Sequence, residues 1–383
     1  MRSSFLLCAG IFFLLFMFFF PLEFLGEFQY KTSLFLWGDF TAWITENLFK
    51  TKHSRTDFSS DSISMVVLSI ILLLISIIAA LIIKQKYHKK ILYYSREITI
   101  LYLAVVLMKY GFDKIFKAQF YLPEPNILYS RFGNLDKDIL FWSTMGTSRL
   151  YSVSAGILEL LAALLILFHK TRTAGLLVSI GILINIFLIN IGFDISVKLF
   201  SLILFFMAVF ALKDDWKPVF RFLILKKEPK FEDRREAESK FHPVWIFFKT
   251  AFVGLSMAVI LFPLMNSGNF NDDKADRPFL HGAFKNLDTD SDIQYIFFHR
   301  NSYIILMDKS EKMVDFHYTQ SSKNQLILED YANKKTEVDY VYQKKDSLLT
   351  LNFGKYMVRT KELNWRKMNA LKPLFHVTIE DME

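Results

Sequence analysis

The chain of 383 residues has one cysteine, Cys8, which excludes an internal disulfide, a Cys-x-x-Cys redox pair and a thiolate cage for zinc or an iron–sulfur cluster. It also lacks an H-E-x-x-H pair, a phosphate loop, a Ser-His-Asp arrangement and a paired haem-histidine pattern. His281, His299, His317 and His376 are scattered without diagnostic spacing, so no metal ligand set is assigned. Asp272, Asp273 and Asp276 lack the glycine and the terminal glutamate of a calcium loop, and a solvated linker is expected there. No catalytic residue is assigned, and catalysis by the chain on its own is not expected.

Apolar residues are present in excess: 52% of the chain is hydrophobic and 41 residues are Phe, more than a soluble core of this length takes up. They fall in runs near the ~20 residues that cross a bilayer. The runs are Phe5–Leu22, Ser64–Ile83, Ile98–Met108, Tyr151–Phe168, Ala174–Ile191, Val197–Leu212 and Trp245–Leu264. Seven spans are therefore expected, the third being the weakest because its purely apolar part is short and Lys109, Asp113 and Lys114 follow it, although Tyr94–Tyr110 could lengthen it at the interfaces. The first is read as an uncleaved anchor, since Pro21-Leu22-Glu23-Phe24 stands where a signal-peptide site would be.

The net charge of +8 does not point to nucleic acid, because the basic residues collect between spans, where they mark cytoplasmic loops. Lys84, Lys86, Lys89, Lys90 and Arg96 lie between spans two and three, and Lys170 and Arg172 between four and five. Eight more, from Lys217 to Lys240, precede span seven. This pattern predicts a cytoplasmic N-terminus and a C-terminal part on the outer side. The first outer loop holds Leu34–Ile44, too short and polar to span, with Trp37 and Trp43 suited to a connector or an interfacial helix.

From Met265 onward the long runs end and apolar and polar residues alternate, cleanly in Glu337–Tyr342 and Leu349–Phe353. Seven strands are expected at Ile293–His299, Ser302–Met307, Met313–Tyr318, Gln325–Glu329, Glu337–Tyr342, Leu348–Phe353 and Lys355–Arg359. Polar turns at 8–12-residue spacing make these an antiparallel meander, a small barrel or sandwich. The fold class is thus a membrane all-α bundle followed by an antiparallel all-β domain. The expected organisation is a two-span region over 1–94, a four-helix membrane domain over 95–212, a basic cytoplasmic loop over 213–243, a seventh span over 244–265 and an outer β-rich domain over 266–383.

The motifs Tyr110-Gly111-Phe112-Asp113-Lys114, Arg131-Phe132-Gly133, Trp142-Ser143-Thr144-Met145-Gly146, Gly156-Ile157-Leu158-Glu159-Leu160 and Phe193-Asp194-Ile195-Ser196-Val197-Lys198 resemble those of DoxX-like bacterial membrane proteins. The resemblance covers roughly residues 95–212. It implies a four-helix domain in a bacterial cytoplasmic membrane, and it brings a link to quinone-coupled oxidoreduction. Quinone is the cofactor this suggests, with electrons supplied by another chain.

Polar groups inside spans are costly and mark candidate sites. Glu159 lies ~12 Å into span four at 1.5 Å per residue. Ser152, Gly156, Glu159 and Ala163 share one helix face, and Gly181, Asn185, Leu188 and Gly192 repeat the spacing on span five. With Asn190, Lys109, Asp113, Lys114, Asp194 and Lys198 they form the expected polar site. Two readings stay open: Glu159 bonds Asn185 or a lysine as structural glue, or it binds a quinone, an anion or a proton with Lys109 or Lys198 neutralising it. The expected partners are the bilayer and an envelope protein reached through residues 266–383, with small-solute transport as a weaker alternative.

Overall fold

The computed structural model describes residues 2–20, 26–50, 56–228, 242–354, 356–372 and 378. These residues form eleven α-helices and eight β-strands, and the chain divides into two compact units. Unit 1 comprises Met1–Phe116 and Val153–Phe270, and unit 2 comprises Lys117–Ser152 and Asn271–Glu383. The division does not follow the boundaries expected at 94/95 and 212/213. It assigns residues 117–152 to the same unit as the C-terminal strands.

Unit 1 contains α1 (Arg2–Phe19), α2 (Gly26–Leu48), α3 (Ile63–Ile82) and α4 (Gln85–Ile115). After an excursion into unit 2, where α5 (Pro125–Tyr129) and α6 (Lys137–Thr147) lie, the chain continues as α7 (Arg149–Leu167) and α8 (Arg172–Gly192). Then come α9 (Lys198–Ala211), α10 (Trp216–Leu223) and α11 (His242–Ser267). Among the described residues, five helices are long and apolar enough to cross a membrane: Ile63–Ile82, Gln85–Ile115, Arg149–Leu167, Arg172–Gly192 and Ile246–Lys274. Ser4–Phe19 and Lys198–Ala211 are apolar but shorter, so two of the seven expected spans fall below that length.

The third run is lengthened through Tyr94–Tyr110 and beyond. It continues in both directions as the 31-residue α4, because α3 stops at Ile82 and helix resumes at Gln85. Lys86, Lys89, Lys90 and Arg96, expected in a loop, are therefore helical. The stretch 34–44 is likewise part of a 23-residue helix, α2. Gln29 donates to the carbonyls of Met17 and Phe18, and Ser33 to that of Phe19. These bonds occupy carbonyls that the end of α1 leaves without intrahelical donors. Pro21–Phe24 and Lys230–Lys240 lie outside the described residues.

Phenylalanine accounts for much of the packing between α1 and α9. Phe20 stacks on Phe200 with centroids 4.4 Å apart, and Phe13 meets Phe210 edge-on at 5.3 Å. α3 buries Ser69, Leu72, Ser76 and Ala80 while Ile70, Leu74, Ile78 and Leu81 are exposed. Met65, Val67 and Leu68 are buried as well, so apolar side chains point outward as well as inward, unlike a water-facing helix, whose outer side is polar.

Unit 2 is built on a closed barrel in which consecutive strands pair antiparallel and β1 closes on β8. The strands are β1 (Gly282–Asn286), β2 (Ile293–Phe298), β3 (Tyr303–Asp308), β4 (Met313–Ser322), β5 (Gln325–Glu329), β6 (Lys335–Gln343), β7 (Leu348–Asn352) and β8 (Met357–Leu363). The seven expected strands are β2–β8. β1 is an eighth strand without the alternating pattern, since its buried residues run Gly282-Ala283-Phe284. Its pairing of Ala283 with Leu363 and Asn286 with Thr360 makes the sheet a barrel. The interior is filled by Phe284, Ile296, Phe298, Ile304, Leu326, Leu328, Val338, Leu349 and Leu351, as expected for eight strands, whose lumen side chains can close.

Outward residues of β1–β3, Ala283, Phe297, Ile305 and Met307, form a second cluster with Trp365, packed by Leu128 and Tyr129 of α5. The 117–152 segment thus covers an apolar outer face of the barrel. An antiparallel sheet with both faces buried shows uninterrupted apolar runs such as Tyr295-Ile296-Phe297-Phe298.

Candidate functional site

The expected polar site is partly assembled. Gly156 of α7 lies against α4 so closely that a Cβ there would sit 2.5 Å from the Gly111 carbonyl oxygen, and only glycine permits that approach. One turn further along each helix, Lys114 Nζ donates to both Glu159 oxygens at 2.9 and 2.8 Å. Both side chains are buried, as are Ser152, Gly156 and Ala163 on the same face of α7. Lys114 also lies 5.5 Å from the Tyr110 ring centroid. The cation beside Glu159 is Lys114, and neither Lys109 nor Lys198 takes that place. Lys109 pairs with Asp113 at 2.6 Å within α4.

The remaining expected residues separate from this pair. Asp61 accepts from the backbone N–H groups of Lys198 and Leu199 and so caps α9, with Lys198 Nζ 3.8 Å away. Asp194 bonds Lys198 at 2.8 Å and is largely exposed. Asn190 donates to Ser201 at 3.0 Å, tying α8 to α9. Asn185 does not meet Glu159: with Gly181, Leu188 and Gly192 it is exposed on α8, whose buried face is Gly175, Leu176, Ser179, Leu183 and Asn190. The spacing was real but the opposite side of the helix turns inward, because Gly175 admits the backbone of Leu165 and Ile166.

Two further polar networks join residues that sequence spacing does not connect. In unit 1, Glu97 is bonded by Arg172 at 2.8 Å and by Arg96 at 3.2 Å, and Arg96 also reaches the Ala211 carbonyl at 2.7 Å and lies 3.7 Å from Asp215. All four side chains are buried. Arg96 and Arg172, read as loop charges, instead fasten α4, α8 and the end of α9. The signal was Glu97, a lone acid opposing the basic run.

In unit 2, Glu124 accepts from His281 at 2.8 Å and from the Arg300 backbone at 3.2 Å. Arg300 bonds Asp272 and lies over the Tyr121 ring, and Arg277 holds Asp272 at 2.9 Å. Asp273 accepts from the Leu122 N–H at 3.1 Å, with Lys117 at 3.6 Å. Lys117 also donates to the Gly146 carbonyl. The expected solvated linker is therefore a structured joint, since the backbone and cations of 117–124 supply partners for Asp272 and Asp273. His376 lies outside the described residues.

Burial alone would raise the Glu124 carboxyl, but the His281 hydrogen bond and the charges of His281, His299 and Arg300 hold it below its ordinary value. Asp272 is held low against burial by its bonds to Arg300 and Arg277. Burial lowers His299, against the pull of Glu124. Burial also pushes Lys117 down and Asp273 up, each opposed by the other's charge. Each strong base among these residues is committed to an acid or a carbonyl, an arrangement that fixes geometry more readily than it moves protons.

The two units define a protein with helices long and apolar enough to cross a membrane and a separate eight-stranded barrel. The chain is 33% identical over 130 residues to the uncharacterised protein YwoB of Bacillus subtilis (strain 168), an alignment covering 34% of this chain and 80% of that protein. It belongs to the family of that protein. No family model matches the chain, and no solved structure matches it.

Proposed function

We propose that this is an integral protein of a bacterial cytoplasmic membrane in which unit 1 is the bilayer-embedded bundle and unit 2 an outer recognition module for an envelope partner, with no catalytic step of its own. The observation that carries the reading is the exposed aliphatic surface of unit 1. Only 33% of the apolar window of α3 and 11% of that of α11 is buried, at mean hydropathies of 3.2 and 1.9. Such surfaces need a solvent as apolar as themselves.

Within this reading the Lys114–Glu159 pair is a clamp between α4 and α7. Both carboxylate oxygens are occupied by one ammonium, which favours glue over a proton or quinone site. The DoxX-like resemblance of 95–212 is retained as part of the proposal. The filled barrel favours an interaction surface over a lipocalin-like interior.

Single-cysteine mapping tests the reading. In a Cys8→Ser background, a cysteine at Val341 should react with a membrane-impermeant maleimide in intact cells, and one at Lys217 should react only after permeabilisation. Equal labelling of both in intact cells, or recovery of the protein in the soluble fraction, would overturn it.

A further inference from the structure

Asp215 fixes where α10 begins. Its buried carboxylate accepts from the Thr173 hydroxyl at 3.0 Å and lies 3.7 Å from Arg96 Nη2, and its carbonyl accepts from the Val219 N–H at 2.9 Å. The short helix is thereby fastened to the end of unit 1 where α9 stops and α8 starts. Along it Trp216, Val219, Phe220 and Leu223 follow the i, i+3, i+4, i+7 spacing of one face. Val219 is buried, whereas Trp216, Phe220 and Leu223 are exposed.

Lys217 and Arg221, four positions apart, share another face of α10. Past the helix, Lys226 takes a φ of 51° and the Lys227 N–H turns back to the Arg221 carbonyl at 3.1 Å, which keeps Lys226 and Lys227 beside the last turn. These four cations are exposed, and among the described residues none is paired with a carboxylate. Like charges so close repel one another unless anions lie against them. The inner edge of a bilayer containing anionic phospholipid presents an apolar layer and an anionic layer side by side, which matches both faces at once. An acidic protein or a nucleic acid would meet the cations and leave Trp216, Phe220 and Leu223 in water. We infer that α10 lies in the membrane interface and binds anionic phospholipid headgroups through Lys217, Arg221, Lys226 and Lys227, with Trp216, Phe220 and Leu223 at the acyl boundary. The inference rests on the proposed placement of unit 1 in the bilayer.

The test is fluorescence quenching in phosphatidylcholine vesicles that contain the full-length protein and a nitroxide-labelled lipid, either phosphatidylglycerol or phosphatidylcholine, with the nitroxide high on the acyl chain. In a Cys8→Ser background, bimane is attached at Ile224→Cys on α10 or at Leu74→Cys on α3. At Ile224 the phosphatidylglycerol label is expected to quench about threefold more than the phosphatidylcholine label, and molar salt should abolish that preference. At Leu74 both lipids should quench alike. Replacing Lys217, Arg221, Lys226 and Lys227 together by Gln should remove the preference at Ile224 and leave quenching at Leu74 unchanged. Replacing Lys84, Lys86, Lys89 and Lys90 by Gln, an equal change of charge, should keep it. Equal quenching by the two lipids at Ile224, or equal loss of preference in both quadruple variants, would overturn the inference. Quenching at Leu74 with none at Ile224 would overturn it and turn attention to a cytoplasmic macromolecule, and no quenching at either position would overturn the membrane placement as well.

Discussion

Both units bury apolar cores, but they differ in what lies outside them and in where they keep their charge. Unit 1 turns Ile70, Leu74 and Ile78 outward and gathers Lys114, Glu159, Arg96, Glu97 and Arg172 inside. Unit 2 fills its barrel with Phe284, Ile296, Phe298 and Leu349, and its charged network joins the barrel to a covering segment. In water, exclusion of apolar surface is the dominant force, so the barrel needs no polar glue in its interior. For unit 1 in the bilayer, as proposed, that force vanishes between helices, and close backbone contact and hydrogen bonds must replace it.

The comparison is broken most forcefully by unpairing the buried charge. Glu159→Ala takes the carboxylate away from the buried Lys114 ammonium and should cost about 3–5 kcal/mol, read as a lowered thermal midpoint in detergent. The double variant Lys114→Met with Glu159→Leu should recover most of that loss, and failure to recover would mean the pair does more than hold α4 to α7. In unit 2 the matching loss, about 3–5 kcal/mol, is expected from Phe298→Ala, resolved by hydrogen exchange in the strands with the helices unaffected.

A second contrast lies on the surfaces. Leu74→Asp should disfavour membrane insertion by about 2.5–3.5 kcal/mol, whereas Val341→Asp, on an equally exposed barrel position, should change stability by no more than ~0.5 kcal/mol. Membrane-fraction yield and thermal midpoint read the two. Gly156→Val, which forces a side chain against the Gly111 carbonyl, should cost about 1–3 kcal/mol and loosen the same contact without touching charge.

The smallest effect is on pH. His299 is held below its ordinary 6.5 chiefly by burial, so the unfolded chain takes up the proton first. Its contribution is complete above pH 6.5 and is lost as pH falls through the folded value. Glu124, held below 4.5, adds a further loss beneath that pH. Exchange protection in unit 2 should therefore decline between neutrality and pH 4, and His299→Gln should flatten the upper part of the decline.

The sequence by itself determined the succession of apolar runs and the seven strands β2–β8, because hydropathy over ~20 residues and period-2 alternation are local properties. It also determined that Glu159 faces inward on α7, since 4-3-4 spacing of small residues marks one helix face. It placed Asn185 on the buried side of α8, and there local periodicity was silent: a helix with two usable faces is oriented by its neighbours. Only the tertiary structure decided that Lys114 meets Glu159, that Arg96 and Arg172 converge on Glu97, and that β1 closes the barrel. The same holds for the joining of residues 117–152 to strands more than 120 positions away. Each of these is a contact between segments remote in the chain, and the energy that selects it exists only once both are in place.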